Sequence, residues 1–217
     1  MYIKVPMFPL KKYLRLYEKY HQGIISKHAP KYFDGLHPKN HFHYRSEFFI
    51  ENLNSEDVVV DIACGTGLIL SNIAPHVKKA FGIENHPENL KHCLEKHQKS
   101  NLEFIDKNLF DINYDLFKKE TGYNTVIISH ILEHIEDAVG FLKRIKADKL
   151  LICVPSQENW YRQLLIYFDL PYMTDATHFR EYTREMLRSE LLNAGYEVIS
   201  MGFNAEGEII CRAEFKN

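Results

Sequence analysis

Seven residues, Asp61-Ile62-Ala63-Cys64-Gly65-Thr66-Gly67, stand where a β-branched run, Val58-Val59-Val60-Asp61, gives way to a helical pattern. Glycines at such a turn let the backbone pass against a ligand without Cβ obstruction, and they tolerate positive φ. Nineteen residues past Gly65, at the end of the next strand-like run, stands Glu84. A carboxylate in that place accepts hydrogen bonds from both hydroxyls of a ribose. Loop and acid together describe a nucleoside site. A dinucleotide fingerprint would continue as GxGxxG, its third glycine allowing close helix–strand packing. Leu70 occupies that third place here, so NAD is disfavoured and a nucleoside cofactor without a pyrophosphate fits better.

A second group of residues could move protons. His130 and His134 stand i,i+4 with Glu133 between them, directly after the run Thr125–Ser129. The carboxyl edge of a strand is where open α/β sheets bind their ligands. His178 lies in Asp175-Ala176-Thr177-His178-Phe179-Arg180-Glu181-Tyr182-Thr183, ahead of a late helix. Histidine has a suitable pKa for taking a proton from a hydroxyl, which makes His134 and His178, with Glu133, the candidate catalytic residues. The alternative for each is a bracing role in its loop, and Glu181 could equally cap the helix or pair with Arg184. Three imidazoles and a carboxylate also form a reasonable ligand set for a divalent transition metal; the main reading needs no metal.

These residues require a scaffold that alternates strands and helices. Short runs at Val58–Asp61, Ala80–Glu84, Leu102–Asp106, Thr125–Ser129 and Leu150–Val154 are separated by helical stretches. Unbroken apolar strands alternating with helices imply a parallel sheet covered on both faces. Ahead of them the pattern gives helices over Leu10–Ile25 and Asn40–Asn52, separated by Pro30, Gly35 and Pro38. After Val154 comes an aromatic-rich segment, Trp160 to Tyr172, which reads as a substrate lid, a packed helix or a dimer contact. A helix over Thr183–Ala194, ended by Gly195, leads into strands Tyr196–Phe203 and Glu208–Phe215 joined by Asn204-Ala205-Glu206-Gly207. One domain is expected over 1–217, with an N-terminal helical cap at 1–53 and a catalytic core at 54–217.

From about Asn54 to Phe215 the chain resembles the class I S-adenosylmethionine (SAM)-dependent methyltransferases. Val58–Gly67 resembles the family's first motif, Phe81-Gly82-Ile83-Glu84-Asn85 its second, and Glu103 to Leu109 its third. Ile127 to His134 resembles the "LEH" segment after the fourth strand, and Val154-Pro155 the end of the fifth. The resemblance implies a Rossmann-like α/β fold with a mostly parallel seven-stranded sheet and an antiparallel C-terminal hairpin. It implies SAM as cofactor, held by Asp61, Ala63, Cys64, Gly65, Gly67, Glu84, Asn85, Asn108, Leu109, Ser129 and His130. Asn108 stands where Asp is commoner; its amide oxygen can still accept from the adenine amine.

The methyl acceptor is narrowed by absences. No Asp/Asn-Pro-Pro-Tyr follows the fourth strand, where Ser129-His130-Ile131-Leu132 stands, and no Pro-Cys nucleophile is visible. Amino-methylating and C5-methylating DNA enzymes need those motifs, so a DNA acceptor is not expected. His37-Pro38-Lys39-Asn40-His41-Phe42-His43-Tyr44, Thr177 to Tyr182 and Gly207-Glu208-Ile209 resemble bacterial methyltransferases of surface-sugar biosynthesis. A small-molecule or glycan acceptor, methylated at oxygen, is the expectation. His178 to Glu185 also resembles the small-RNA 3′-terminal 2′-O-methyltransferases, whose metal ligands are Glu, Glu, His and His; the first would here be His130. A metal-assisted RNA 2′-O-methyltransferase is thus one alternative, and a non-catalytic SAM-binding protein another.

Composition supports a soluble globular chain. Hydrophobic residues are 45% and charged residues 26%, and no apolar run approaches the ~20 residues of a membrane span. The four cysteines, Cys64, Cys93, Cys153 and Cys211, have no paired spacing, which suggests reduced thiols and a cytoplasmic protein. Net charge is −2 and the pI about 6.6, without the strongly basic balance of a dedicated nucleic-acid binder, so RNA is not an expected partner. The charge is uneven: residues 1–45 carry nine Lys/Arg against Glu18 and Asp34. Such a segment attracts an anionic substrate, a membrane surface or RNA, or is a solvated helix face.

Overall fold

The computed structural model describes residues 7–20, 28, 31, 44–173 and 175–216. They gather into two compact units: those of 1–43 with 158–172, and those of 44–157 with 173–217. The segment His37–His43 and the breakers Pro30, Gly35 and Pro38 lie outside the described residues.

The larger unit is built on a seven-stranded sheet. In chain order the strands are β1 (Val58–Ile62), β2 (Lys79–Glu84), β3 (Leu102–Asp106), β4 (Thr125–Ser129), β5 (Lys149–Val154), β6 (Tyr196–Phe203) and β7 (Ile209–Phe215). They lie in the order β3-β2-β1-β4-β5-β7-β6. β1 to β5 run parallel, while β7 is antiparallel to both neighbours. Side chains alternate faces along each strand. Val60, Ile62, Val126, Ile128, Leu150 and Ile152 enter one core, while Val59, Ile127, Leu151 and Cys153 enter the other with Phe49, Leu70 and Ile73. Each fully buried side chain of this size contributes about 1.5–3 kcal/mol.

Helices cover both faces: α2 (Tyr44–Glu51), α3 (Leu68–Ile73), α4 (Pro87–Lys96), α5 (Tyr114–Thr121), α6 (Ala138–Ile145) and α8 (Arg184–Asn193). The residues expected to open and close the last helix are its caps. The Thr183 hydroxyl accepts from the Met186 N–H at 3.1 Å, and Gly195 follows at φ 93°. Of the expected helix 40–52, residues 44–51 are helical, and Phe48 and Phe49 bury against the sheet in the larger unit. The hairpin turn is pinned by Asn204, whose side-chain oxygen accepts from the N–H groups of Glu206 and Glu208, both at 3.0 Å. The last strand begins one residue later than expected, because Glu208 belongs to that turn.

At the amino edge of the sheet, opposite the site, Asp57 is 2% exposed. It accepts from the Asn54 N–H at 2.9 Å, the Asn124 amide at 2.9 Å and the Lys149 ammonium at 2.7 Å. Burial opposes its ionisation, but Lys149 and these donors outweigh it and hold the carboxyl below its ordinary range. A depressed carboxyl pKa contributes stability that is present above the unfolded value, about 3.9, and is lost as pH falls through the folded one. Asp57→Ala removes the counter-charge of the Lys149 ammonium, leaving it the Asn52 carbonyl at 2.9 Å, and is expected to cost about 3 kcal/mol near neutral pH. Thermal melts at pH 7 and pH 3 check this: the deficit should shrink at the lower pH.

The smaller unit pairs α1 (Met7–Tyr20) with α7 (Trp160–Tyr167). Leu14, Leu165, Phe168 and Leu170 form its core, with Leu10, Tyr161, Leu164 and Tyr172 packed around it. Tyr17 meets Tyr161 edge-on, centroids 5.4 Å apart. The aromatic-rich run after Val154 is therefore partly helical. Asn159 caps it by accepting from the Arg162 N–H at 2.9 Å, and Tyr161, Leu164, Leu165 and Phe168 form the inward face. Among the described residues no helix is long and apolar enough to cross a membrane.

Candidate active site

The loop after β1 is held from below and behind. The Cys64 N–H donates to the Ile83 carbonyl at 3.0 Å. The Cys93 thiol donates to the Gly65 carbonyl at 3.2 Å, and a His97 ring nitrogen meets the Thr66 carbonyl at 3.0 Å. The carbonyls of the loop are thus tied to α4 and its end. Ala63, Gly65 and Gly67 have φ of 55°, 57° and 74°, the left-handed region that glycine enters freely and alanine at a cost of about 1–2 kcal/mol.

The three glycines of this region do different work. A Cβ at Gly67 would meet the Cys93 sulfur and the Phe104 ring at 3.0 Å. One at Gly82 would meet Leu70 and Phe104 at 2.7 Å and the Cys64 sulfur at 2.8 Å. Those two serve packing. Beside Gly65 nothing lies within 4 Å, so this residue fronts open space, as a cradle for a nucleoside requires. Asp61, 1% exposed, keeps one carboxylate oxygen without a hydrogen-bond partner. Burial, reinforced by Cys93 and Glu84 nearby, pushes its carboxyl well above the usual range. An orphaned buried oxygen beneath an open glycine cradle fits a site that accepts a polar ligand.

Glu84 ends β2 and is 6% exposed. One of its oxygens accepts from the Gly65 N–H at 2.8 Å; the other accepts from the N–H groups of Asn85 and His86 at 2.9 and 2.7 Å. A carboxylate offers about four acceptor positions; one holds the loop through Gly65, two serve Asn85 and His86, and one remains, on the oxygen facing Gly65, where the sequence led to an expectation of two for the ribose hydroxyls. The acid expected to bind a ribose also braces the loop, a role the spacing did not reveal. Asn108 is exposed, and its side-chain oxygen accepts from the Phe110 N–H at 2.9 Å. It shapes the turn after β3 with Leu109 half-buried beside it.

At the carboxyl edge of β4, Ser129 is half-buried and His130 adopts φ 57°. Non-glycine residues persist in that conformation where the surroundings over-determine it. Here a His130 ring nitrogen lies 2.9 Å from a Glu208 oxygen, and the other lies 3.4 Å from Glu133. Glu208 also accepts from the Cys153 thiol at 3.2 Å and the Asn204 amide at 2.8 Å. Glu208 and Cys153 were not among the expected site residues. The pairing of β5 with β4 brings in Cys153, opposite Ser129, and the insertion of β7 beside β5 brings in Glu208.

Glu133 sits in the short turn Leu132–His134, fully buried, with neither carboxylate oxygen hydrogen-bonded. The His134 and His178 rings meet edge-to-face with centroids 4.5 Å apart. Ligand-capable atoms of Glu133, His134 and His178 lie within 4.8 Å of one another. The fold therefore assembles all three expected catalytic residues. His134 is oriented by the Thr177 hydroxyl at 3.0 Å; Asp175 accepts from that hydroxyl at 2.7 Å. His178 stands 3.6 Å from Glu181, whose side chain is also buried. Burial lowers the His178 pKa below its ordinary value, and the His134 charge works the same way, while Glu133, Glu181 and Asp175 oppose them. The Phe179 N–H donates to the Glu133 carbonyl at 2.8 Å, fixing the two segments together.

Residues 39–201 match the family model described as a methyltransferase domain. Among curated proteins, the probable cobalt-precorrin-6B C(15)-methyltransferase (decarboxylating) of Methanococcus maripaludis is 29% identical over 124 residues, 57% of this chain and 67% of that one. Among solved structures, the magnesium protoporphyrin IX methyltransferase of Synechocystis PCC 6803 with bound S-adenosylhomocysteine superposes with a TM-score of 0.61 at 14% identity, over all of this chain and 90% of that one. The Haloferax volcanii methyltransferase solved with the Trm112 activator gives 0.62 at 13% identity, covering 81% and 90%. With the family model spanning three quarters of its length and the strand order that its motifs imply, the chain belongs to the methyltransferase domain family.

Proposed function

We propose that the protein transfers a methyl group from SAM to an oxygen of a small or sugar-linked acceptor. The observation that carries this reading is the assembly of Glu133, His134 and His178 at the carboxyl edge of β4. SAM supplies an electrophilic methyl on a sulfonium, which departs as a neutral thioether. What remains for the protein is alignment, exclusion of water and removal of the acceptor's proton. Gly65 gives the cofactor room, Glu84 meets the ribose, and Asp61, Ala63, Cys64, Gly67, Asn85, Asn108, Leu109, Ser129 and His130 surround the remainder. His178, kept neutral by burial, takes the proton as the acceptor oxygen attacks, and the buried Glu133 carboxylate favours the imidazolium that results. His134 holds the ring of His178 edge-on.

Two of the three named proteins carry a substrate in their names, cobalt-precorrin-6B and magnesium protoporphyrin IX, and the first is by its name methylated at a carbon, C(15). The oxygen assignment rests on the candidate base, which a hydroxyl acceptor would use to lose its proton. The glycan assignment rests on the resemblance of short sequence segments, and the cytoplasmic one on the unpaired spacing of the four cysteines. The test is transfer of radiolabelled methyl from SAM to a panel of nucleotide sugars, glycans, tetrapyrroles and short RNAs, with the product's methylated atom read by NMR. A product methylated at carbon or nitrogen, or no turnover across the panel, sinks the reading.

One geometric fact favours a second reading. The three clustered donors of Glu133, His134 and His178 would suit a divalent cation in a metal-assisted 2′-O-methyl transfer to RNA, although His130, expected as the first ligand, groups instead with Cys153 and Glu208. Loss of activity with EDTA together with salt-dependent RNA binding would select it over the first.

A further inference from the structure

The smaller unit presents features that methyl transfer does not use. On α1, Leu10 and Leu14 point into the unit's core. Tyr13, Leu16 and Tyr20, at i, i+3 and i+7, form a second apolar stripe, and they are 65%, 40% and 53% exposed. Lys12, Arg15 and Lys19, all exposed, occupy the remaining face with half-buried Lys11. The helix carries these four cations against Glu18 alone. On α7, Trp160 and Tyr167 share one side at i, i+7 and are 75% and 71% exposed, with Ile166 at 39%. Exposed large apolar side chains are ordinary singly; stripes of them on both helices of one unit indicate an interaction surface.

The composition of that surface selects its partner. Protein interfaces are depleted in lysine, whereas lysine is favoured at bilayer surfaces, where its stem lies along apolar groups and its ammonium stays wet. Tyrosine and tryptophan are the side chains that settle at headgroup depth. A single-stranded RNA would use the cations and the aromatic rings but gives no reason for Leu16 and Ile166 to be exposed. Tyr13, Leu16 and Tyr20 beside Lys12, Arg15 and Lys19 make an interfacial helix, apolar on one side and cationic on the next.

We propose that the α1–α7 unit docks on anionic lipid bilayers, α1 lying in the interface with Tyr13, Leu16 and Tyr20 among the headgroups and Lys12, Arg15 and Lys19 against the lipid phosphates. This stands independently of the acceptor assignment and of the catalytic residues, since the docking residues are in a different unit. Cations near an anionic surface act roughly additively, so removal of all three lowers the partition coefficient by about a hundredfold.

The chain contains one tryptophan, Trp160, which makes the test direct. Full-length protein is mixed with vesicles of phosphatidylcholine alone or with a third phosphatidylglycerol, and both co-sedimentation and tryptophan emission are followed. Binding and a blue shift with the anionic vesicles, both weakened by raised salt, are expected. Lys12→Ala/Arg15→Ala/Lys19→Ala should lose about a hundredfold in binding, and Tyr13→Ser/Leu16→Ser/Tyr20→Ser should abolish the blue shift. SAM affinity in each variant, unchanged, shows that the larger unit is intact. No co-sedimentation, equal binding to neutral vesicles, or binding unaffected by either triple variant overturns the proposal. So does a concentration-dependent dimer lost with Tyr13→Ser/Leu16→Ser/Tyr20→Ser in the absence of vesicle binding, because the stripe would then face a second copy of the chain. Retention of a short RNA that depends on the cations, without vesicle binding, overturns it as well.

Discussion

Glu84→Ala lowers affinity for SAM by about a hundredfold, the factor corresponding to about 3 kcal/mol. Two effects combine in that figure. The ribose loses a charged acceptor, and hydrogen bonds to charged groups are worth about 1.5–3 kcal/mol each. The loop loses its clamp as well, because the same carboxylate accepts from the N–H groups of Gly65, Asn85 and His86. Asn85 and His86 are exposed and water replaces the lost acceptor there. Gly65 is the N–H whose loss alters the cradle. Glu84→Gln separates the two effects. Its amide oxygen keeps the two bonds to Asn85 and His86, while its NH2 group is set against the Gly65 N–H, donor against donor. An intermediate loss is therefore expected, with a lowered melting temperature even without cofactor. Calorimetric titration of SAM and S-adenosylhomocysteine into the three proteins measures it. Wild-type affinity in Glu84→Ala would show that the ribose is held elsewhere.

The contrast between Glu84 and Glu208 shows what the sequence carries and what it withholds. Glu84 was legible because a strand, a tight turn and a helix fix the distance from Gly65 to the end of the next strand, so nineteen residues of spacing encode proximity. Four of the five parallel strands were legible for a related reason: each carries an apolar run buried on both faces, as Val126, Ile127 and Ile128 illustrate, whereas β3 is an edge strand with Glu103 and Asp106 exposed. Glu208 reaches His130 across 78 residues of chain, through the insertion of β7 beside β5. Nothing local in Asn204-Ala205-Glu206-Gly207-Glu208 announces that neighbour. The positive φ of His130 was hidden for the same reason, being imposed by Glu133, Glu208 and the Cys153 carbonyl that its N–H meets at 2.9 Å. The helix Trp160–Tyr167 was obscured differently. Aromatics on both its sides blur the period that usually marks an amphipathic helix, because one side faces the core of the smaller unit and the other lies exposed.

His178→Ala should lower kcat by 10²–10⁴-fold, the usual range for loss of a general base, with SAM affinity within about twofold of wild type. Its signature is the pH profile. Burial and the neighbouring His134 depress the His178 pKa, so the side chain is neutral at pH 7 and available to accept a proton. Activity should then be flat through neutrality and fall only below the ordinary histidine value of about 6.5. Glu133 opposes that depression by favouring the imidazolium. Glu133→Gln removes the negative charge, which moves the acid limb further down and lowers the plateau, because the proton accepted in the transition state is less well stabilised. A purely structural role for Glu133 would lower the amount of folded enzyme and leave the limb where it stood. Single-turnover rates from pH 5 to 8 for wild type, His178→Ala and Glu133→Gln, each checked by its thermal melt, distinguish these outcomes. If the limb in Glu133→Gln coincides with that of the wild type, or His178→Ala retains its plateau rate, the base lies elsewhere. His130 is then the next candidate, its ring 29% exposed and already set between two carboxylates.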